Sequence, residues 1–200
     1  IQGRTSLTLM EQTLSDSAHE HLKEVEEYIY RASGLTQMLL SFSRGEKLDF
    51  QPTDLNELVA NSVDMFGRAR QEIIIHQTEQ PDIWTVDVDR DHIEQILMNL
   101  FVNAWQAMPN GGELFVQTEN TTFEDPSPLF SELVPGRYVK ISVRDTGFGM
   151  DEETLERVFE PFFTTHENIG AGLGLSSVYG IVKNHQGHIT ITSSPDKGTT

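Results

Sequence analysis

Hydrophobic residues recur at steps of three and four in the first part of the chain. In order they are Leu22, Val25, Ile29, Ala32, Leu35, Leu39 and Phe42. Such a seam predicts a helix that packs against other helices, and an earlier run at Leu7, Met10 and Leu14 predicts a shorter helix before it. A two-helix hairpin this narrow cannot bury its own seam. We therefore expect it to dimerise into a four-helix bundle, with packing on the rest of the chain as the alternative.

A polar break, RGEKLDFQPTD, follows the hairpin, and the patterns after it change. Asp54 can cap a helix that ends near Ala69, and Asp89 or Asp91 can cap the helix of DRDHIEQILMNLFVNAWQAM, which PNGG ends. The segment LSSVYGIVKNH predicts one more helix. Runs of β-branched residues predict strands in EIIIHQT, IWTVDVD, ELFVQTE, RYVKISV and GHITITSS.

These elements predict an α+β fold with two domains. The helical hairpin occupies residues 1–50, and residues 51–200 form a two-layer α/β sandwich whose sheet is largely antiparallel. Residues 120–136 and 159–174 are expected to be loops. The chain begins with Ile1 in the middle of a pattern, which is typical of an internal fragment of a longer protein.

Charge and composition narrow the range of partners. The formal net charge of −17 argues against a nucleic acid bound through its phosphates, although a few local donors can still hold one nucleotide. The chain has no cysteine, so disulfides and thiolate metal sites are excluded. No apolar run is long enough to cross a bilayer, and no signal-peptide pattern opens the chain, so we expect this part of the protein to make no membrane contact.

Three short motifs carry the candidate chemistry. Asn99 and Asn103 share one face of an otherwise apolar helix, so they are either buried amides bonded to backbone or ligands for Mg²⁺ and phosphate. Asp145, in RDTGFGM, can accept a hydrogen bond from the amino group of a purine, or it can simply belong to a turn. The glycines of GAGLGLSSV open onto a helix, whose free N–H groups can bind an anion.

The order of these motifs resembles that of the sensor histidine kinases of two-component signalling, which share the GHKL ATP-binding fold. QILMNLFVNAWQAM is similar to the asparagine box of that family, and DTGFGM and GAGLGLS are similar to its two glycine boxes. FEPFFTT is similar to its phenylalanine box, and KGTT to its final glycine-threonine element. The resemblance covers nearly the whole chain. It implies a phosphotransfer hairpin over residues 1–50 and an ATP-binding catalytic domain over 51–200.

The resemblance also implies roles for individual residues. Asp145 would take the adenine amino group, Asn103 would bind Mg²⁺, and Asn99 would support the phosphate and metal cluster, so that both asparagines serve catalysis. The phenylalanines Phe159, Phe162 and Phe163 would anchor a mobile lid over the phosphates. The remaining positions implied to bind ATP are Gly147, Gly149, Thr165, Gly170, Gly172, Leu173, Gly174 and Thr199.

Asn99 indicates which reaction to expect. The ATPases of the superfamily carry Glu where this chain has Asn99, and a Glu can act as a general base on water whereas an amide cannot. The resemblance therefore implies an ATP-dependent protein histidine kinase that phosphorylates a histidine and passes the phosphate to a response-regulator aspartate. We expect a homodimer through residues 1–44, a receiver-domain partner and a cytoplasmic location.

Two features depart from the family pattern. The box that carries the acceptor histidine is absent from these 200 residues, so we expect it upstream of Ile1. Gln106 and His166 stand where the family usually has lysine, although a protonated His166 could replace one cation. The alternative function is accordingly a degenerate ATP-binding scaffold that regulates a partner kinase.

Overall fold

The computed structural model describes residues 48–124, 133–165 and 172–200. The chain divides into two compact units, and each is described here by itself. The second unit comprises residues 48–160 and 174–200. Of the first unit, only residues 161–165 and 172–173 belong to the described part. The predicted hairpin and its dimer interface lie outside the described residues.

The second unit contains five strands and four helices within its described residues. In chain order they are β1 (Gln51–Thr53), α1 (Leu55–Ala69), β2 (Ile73–Glu79), β3 (Val86–Val88), α2 (Arg90–Gln106), β4 (Gly112–Phe123), β5 (Gly136–Asp145), α3 (Glu152–Arg157) and α4 (Gly174–Asn184). The predicted caps of the two longest helices are confirmed. Asp54 accepts a hydrogen bond from Asn56 N–H, and Asp89 accepts one from His92 N–H.

The strands form two sheets. β1 pairs antiparallel with β3, and β4 lies between β2 and β5 in a three-stranded sheet. β4 runs antiparallel to β5 but parallel to β2, so the larger sheet is mixed. The parallel pairing is possible because α2 lies between β2 and β4 in the chain and can carry it across. The architecture is a mixed α/β sandwich.

The core lies between the helices and one face of the larger sheet. Leu58 and Val59 of α1, Leu97 and Phe101 of α2, and Leu114 of β4 are among its fully buried members. The alternation along β4 places Leu114, Val116 and Thr118 on the buried side. This packing fixes the end of α2, and with it the asparagines, beside the start of α4.

One predicted strand is wrong. Within GHITITSS the structure has only an isolated bridge between Ser193 and Thr199. Alternating side chains fit an extended segment, but a strand also needs a neighbouring chain to pair with, and alternation does not reveal one. The predicted loop between β4 and β5 is also shorter than expected, because β4 continues to Phe123. β1 was not predicted.

Candidate functional site

Asp145 ends β5 and is buried. Its Oδ1 accepts hydrogen bonds from Gly147 N–H at 2.8 Å and from Thr199 N–H at 3.2 Å. The backbone N–H of Asp145 donates in turn to the Thr199 carbonyl oxygen at 2.9 Å. Within the described part of the chain, Oδ2 has no hydrogen-bond partner. The hydrogen bonds to Oδ1 thus fix the carboxylate, and Oδ2 is left to accept a hydrogen bond from a ligand.

The pKa of the Asp145 carboxyl is raised, because burial removes the ionised form from water. Hydrogen bonds from the backbone N–H groups of Gly147, Thr199 and Asp145 itself lower the pKa and offset part of that rise. A carboxylate oxygen that is held in place and still has lone pairs to offer is a strong acceptor of N–H donors. The carboxylate is therefore suited to an N–H donor.

The two glycines after Asp145 occupy positions where no side chain fits. A Cβ at Gly147 would lie 2.6 Å from the Ala107 Cβ, and a Cβ at Gly149 would lie 2.0 Å from the Ser194 carbonyl oxygen. Gly149 also has a left-handed backbone, with φ of +67°. Close packing thus fixes the loop after Asp145 against the end of α2 and against the turn that contains Ser194.

Asn103 and Asn99 face the first residue of α4. A Cβ added to Gly174 would lie 3.6 Å from Asn103 Nδ2 and 4.0 Å from Asn99 Oδ1, so a larger residue would occupy the space in front of both amides. Asn103 Nδ2 is buried and has no hydrogen-bond partner in the described residues. Of the two alternatives, amides bonded to backbone or amides that face a ligand, this atom favours the second, because a buried amide nitrogen without a partner points to a ligand.

The first turn of α4 adds backbone N–H donors to the space in front of Asn99 and Asn103. The N–H groups of a helix's first turn lack partners within the helix and attract anions. A half-turn of the Asn103 amide exchanges its oxygen and nitrogen, so the group can offer either atom. The described residues contain no group of three or more His, Asp or Glu that could hold a metal by itself. Mg²⁺ would consequently need phosphate oxygens beside the Asn103 oxygen, a combination that suits this ion.

The other predicted ligand residues belong to the first unit. There Phe162 N–H donates to the Gly172 carbonyl oxygen at 2.9 Å. Gly172 has φ of +65°, and a Cβ at this residue would lie 2.5 Å from the Phe162 carbonyl carbon. The phenylalanine segment and the second glycine segment therefore contact each other. Thr165 is exposed and Leu173 precedes α4, whereas Gly170 lies outside the described residues.

The predicted phenylalanine anchors differ from one another. The Phe162 side chain is exposed, so this residue is a poor anchor, and its backbone is left-handed with φ of +67°. Phe159 belongs to the second unit, where its ring packs on that of Tyr179 with centroids 5.3 Å apart. Phe163 is half-buried.

Sequence reasoning missed two residues of the site. Gly198 is buried with φ of +76°, and a Cβ at this position would lie 2.0 Å from the Asp145 carbonyl oxygen. The Ser193 hydroxyl accepts a hydrogen bond from Met150 N–H and donates one to the Gly198 carbonyl oxygen. The glycine in DKGTT was a signal for a tight turn, whereas nothing local singles out Ser193.

The chain matches a known protein family over residues 88–200, the histidine kinase-, DNA gyrase B-, and HSP90-like ATPases. It is 37% identical to sensor kinase CckA of Brucella abortus (strain 2308), an alignment that covers 98% of this chain and 21% of CckA. The chain spans 21% to 34% of the length of the first curated relatives that it matches.

Solved structures with a similar fold are histidine kinases. The catalytic domain of histidine kinase ThkA is 28% identical with a TM-score of 0.60, over 75% of this chain and 90% of that chain. A structure of ThkA in complex with response regulator protein TrrA has 22% identity and a TM-score of 0.67, over 99% of this chain and 54% of that chain. The similarity to this second structure shows the fold alone.

No helix in the described part is both long and apolar enough to span a membrane.

Proposed function

Since the chain belongs to the family of histidine kinase-, DNA gyrase B-, and HSP90-like ATPases, we propose that it is the ATP-binding part of a sensor histidine kinase in a two-component system. In this proposal the γ-phosphoryl group of ATP passes to a histidine and then to an aspartate of a response-regulator receiver domain. The observation that carries the proposal is Asp145, a buried carboxylate with one oxygen fixed by two N–H groups and the other without a partner in the described residues.

Asp145 selects adenine in this proposal. Adenine carries an exocyclic amino group, which donates, whereas guanine and hypoxanthine carry a carbonyl oxygen at that position, which accepts. An ionised carboxylate oxygen can only accept, so it pairs with adenine and repels the other two bases. Gly147 and Gly149 support this role indirectly, because their close packing on Ala107 and on the Ser194 carbonyl oxygen holds the loop after Asp145 in place.

Asn103 and Asn99 hold the phosphate end of the nucleotide in this proposal. The Asn103 oxygen would ligate Mg²⁺, which when bound neutralises charge on the phosphates and orients them. Asn99 lies beside Asn103 and would position the phosphate and metal group. The N–H groups at the start of α4 would contribute donors to phosphate oxygens. Thr165, Gly170, Gly172 and Leu173 remain candidate nucleotide contacts in this proposal, on the strength of the sequence motifs alone.

Asn99 supports phosphoryl transfer to a protein group over hydrolysis. Its side chain cannot take a proton from water, so a water molecule near the γ-phosphate would not be activated by a general base at this position. Bound ATP would then last until an acceptor side chain reaches it. Positioning and electrostatic stabilisation supply most of the catalysis in such transfers.

The proposed assembly is a homodimer through residues 1–44 that exchanges phosphate with a receiver domain in the cytoplasm. The kinase relatives support the kinase role, and the hydrophobic seam within residues 1–44 supports the dimer. The second candidate function, a scaffold that binds ATP without transferring phosphate, is favoured by Gln106 and His166, which replace two expected lysines near the phosphates.

Calorimetric titration with a non-hydrolysable ATP analogue tests the site, with and without Mg²⁺. We expect the native chain to bind and Asp145→Asn to bind on the order of 10- to 100-fold more weakly, because a hydrogen bond to a charged group is lost. Asn103→Ala should lose the dependence on Mg²⁺. Asn61→Ala, which removes an exposed asparagine of α1, is the matched control and should behave like the native chain.

Equal binding by the native chain and Asp145→Asn would overturn the proposed site.

A second experiment separates the kinase from the scaffold. The full-length protein is incubated with ATP radiolabelled on its γ-phosphate. Acid-labile, alkali-stable labelling of the protein indicates phosphohistidine and supports the kinase. Nucleotide binding without such labelling supports the scaffold.

A further inference from the structure

Ser193 uses every hydrogen bond that its hydroxyl can make. Its Oγ accepts from Met150 N–H at 2.9 Å, donates to the Gly198 carbonyl oxygen at 2.8 Å and lies 3.0 Å from Thr199 Oγ1. A hydroxyl has one proton and two lone pairs. Because the Ser193 proton goes to Gly198, the Thr199 hydroxyl must donate to Ser193. One hydroxyl thus joins two backbone groups, of Met150 and Gly198, and the side chain of Thr199.

The turn that Ser193 closes needs such a restraint. Asp196 and Gly198 both have left-handed backbones, with φ of +60° and +76°. Left-handed backbone at a residue other than glycine costs free energy and persists only where surrounding contacts hold it. The backbone pair Thr192–Thr200 closes the turn from outside, with hydrogen bonds of 2.9 and 2.8 Å, and the Ser193 hydroxyl closes it from inside.

Thr199 connects this turn to Asp145 through its backbone. Its N–H donates to Asp145 Oδ1 at 3.2 Å, and its carbonyl oxygen accepts from Asp145 N–H at 2.9 Å. The turn also contacts the loop after Asp145, because Asp196 N–H donates to the Phe148 carbonyl oxygen at 2.7 Å. Any movement of the turn therefore moves one of the two donors that fix the carboxylate.

We propose that Ser193 is a positioning residue for Asp145: its hydroxyl holds the 193–199 turn so that Thr199 N–H keeps Oδ1 in place and Oδ2 stays available to the ligand. Ser193 makes no hydrogen bond to Asp145 itself and acts through Thr199. That the ligand is an adenine nucleotide rests on the function proposed above. The effect on Asp145 does not depend on any ligand.

The test is a carboxyl ¹³C NMR titration of Asp145 in the ligand-free protein. Ser193→Ala should shift the Asp145 titration to higher pH, because the Thr199 hydrogen bond that favours the ionised form is weakened. Ser193→Thr retains a hydroxyl and should restore the native titration. Ser194→Ala, which alters the neighbouring exposed serine, should leave the titration unchanged. A purely structural role for Ser193 would lower thermal stability without moving the titration of Asp145.

An Asp145 titration that is identical in native protein and Ser193→Ala would overturn the proposal. If Ser193→Ala does not fold, Ser193→Cys decides, since a thiol at the same position is only a weak donor and acceptor. A titration shifted upward supports the proposal, and an unmoved one overturns it.

A second readout concerns selectivity. The preference for ADP over IDP should fall roughly 2- to 10-fold in Ser193→Ala, the range expected for one hydrogen bond. If the native protein binds neither nucleotide, the proposed function fails, while the titration still decides the role of Ser193.

Discussion

At the scale of single residues, the Asp145 carboxylate favours ligand binding in the proposed site but lowers the stability of the ligand-free fold at neutral pH. Its folded-state pKa is raised by burial, so its favourable contribution to folding is fully present below the unfolded pKa, near 3.8, and is lost as the pH rises through the folded value. At neutral pH the ionised side chain consequently makes the native protein less stable than a neutral isostere would. This cost is typical of a group that is kept for a ligand.

Asp145→Asn should therefore be more stable than the native chain at pH 7. The amide oxygen can still accept from Gly147 and Thr199, while the desolvated charge is gone. The gain in the free energy of unfolding should disappear below about pH 3.8, where the native side chain is neutral in both states. Urea unfolding at the two pH values measures this. A variant that is less stable at pH 7 would show that the carboxylate's hydrogen bonds outweigh its burial.

Gly198 and Gly180 differ in the space around them, so replacing each with alanine should change stability in opposite directions. Gly198→Ala should lower the free energy of unfolding by about 2 kcal/mol or more, because the new Cβ would meet the Asp145 carbonyl oxygen on a left-handed backbone. Gly180→Ala, inside α4 with nothing within 4 Å of the added Cβ, should raise it by about 0.5–1 kcal/mol. Thermal and urea unfolding of both variants test the pair. Equal effects would mean that local contacts do not decide the outcome.

At the scale of elements, the helices were predictable because their signals are local. The helices α1, α2 and α4 lie within two residues of their predicted bounds, since caps such as Asp54 and Asp89 sit beside the periodic runs that they start. Strand pairing is not local. β1 has three residues, one of them Pro52, and its pairing with β3 depends on a segment more than thirty residues away.

The residues of the site also divide into those with a local sequence signal and those that depend on distant segments. Asp145, Asn99 and Asn103 belong to short motifs that mark them as candidates, and the structure places the two asparagines together beside Gly174. Ser193 could not be predicted, because its partners Met150 and Thr199 come together only once the loop after β5 meets the last turn. Hydrogen bonds that join distant segments leave no periodic trace in the sequence.

The capping residues of α1 and α2 should differ in their contributions to stability. Asp54 is exposed, and its side chain accepts from Asn56 N–H. Asp89 accepts from His92 N–H and from Asp49 N–H, and its Oδ2 lies 3.1 Å from His92 Nδ1. Asp54→Ala should cost about 1 kcal/mol, the usual value of a cap. Asp89→Ala should cost about 2 kcal/mol or more, because the contact with the buried His92 Nδ1 is lost as well.

The charge on Asp89 can be tested separately. Burial would raise its pKa, but hydrogen bonds from His92 and Asp49 outweigh burial, and the pKa is lowered. Its contribution to stability is therefore present above about pH 3.8 and is lost as the pH falls through the lower folded value. Asp89→Asn keeps an acceptor without the charge. Its deficit against the native chain should narrow in urea unfolding as the pH falls, and a constant deficit would contradict this.

At the scale of the whole molecule, charge opposes the proposed ligand. The chain carries a net charge of −17, and nucleotides are anions. In the proposed site the phosphates are held by a helix terminus, an amide and a metal ion, all of which act over short distances. Long-range repulsion should therefore slow the encounter, while local contacts decide the affinity once the nucleotide has arrived.

This balance predicts an unusual dependence on salt. The Debye length falls from about 30 Å at 0.01 M salt to about 10 Å at 0.1 M, so added salt should screen the repulsion before it weakens the close contacts. The association rate constant of ADP, measured by stopped-flow fluorescence, should rise on the order of 2- to 10-fold over this range. Adenosine has the same base without phosphate and should show no such rise. A fall for ADP would contradict the prediction and would mean that local cations near the phosphates dominate the approach.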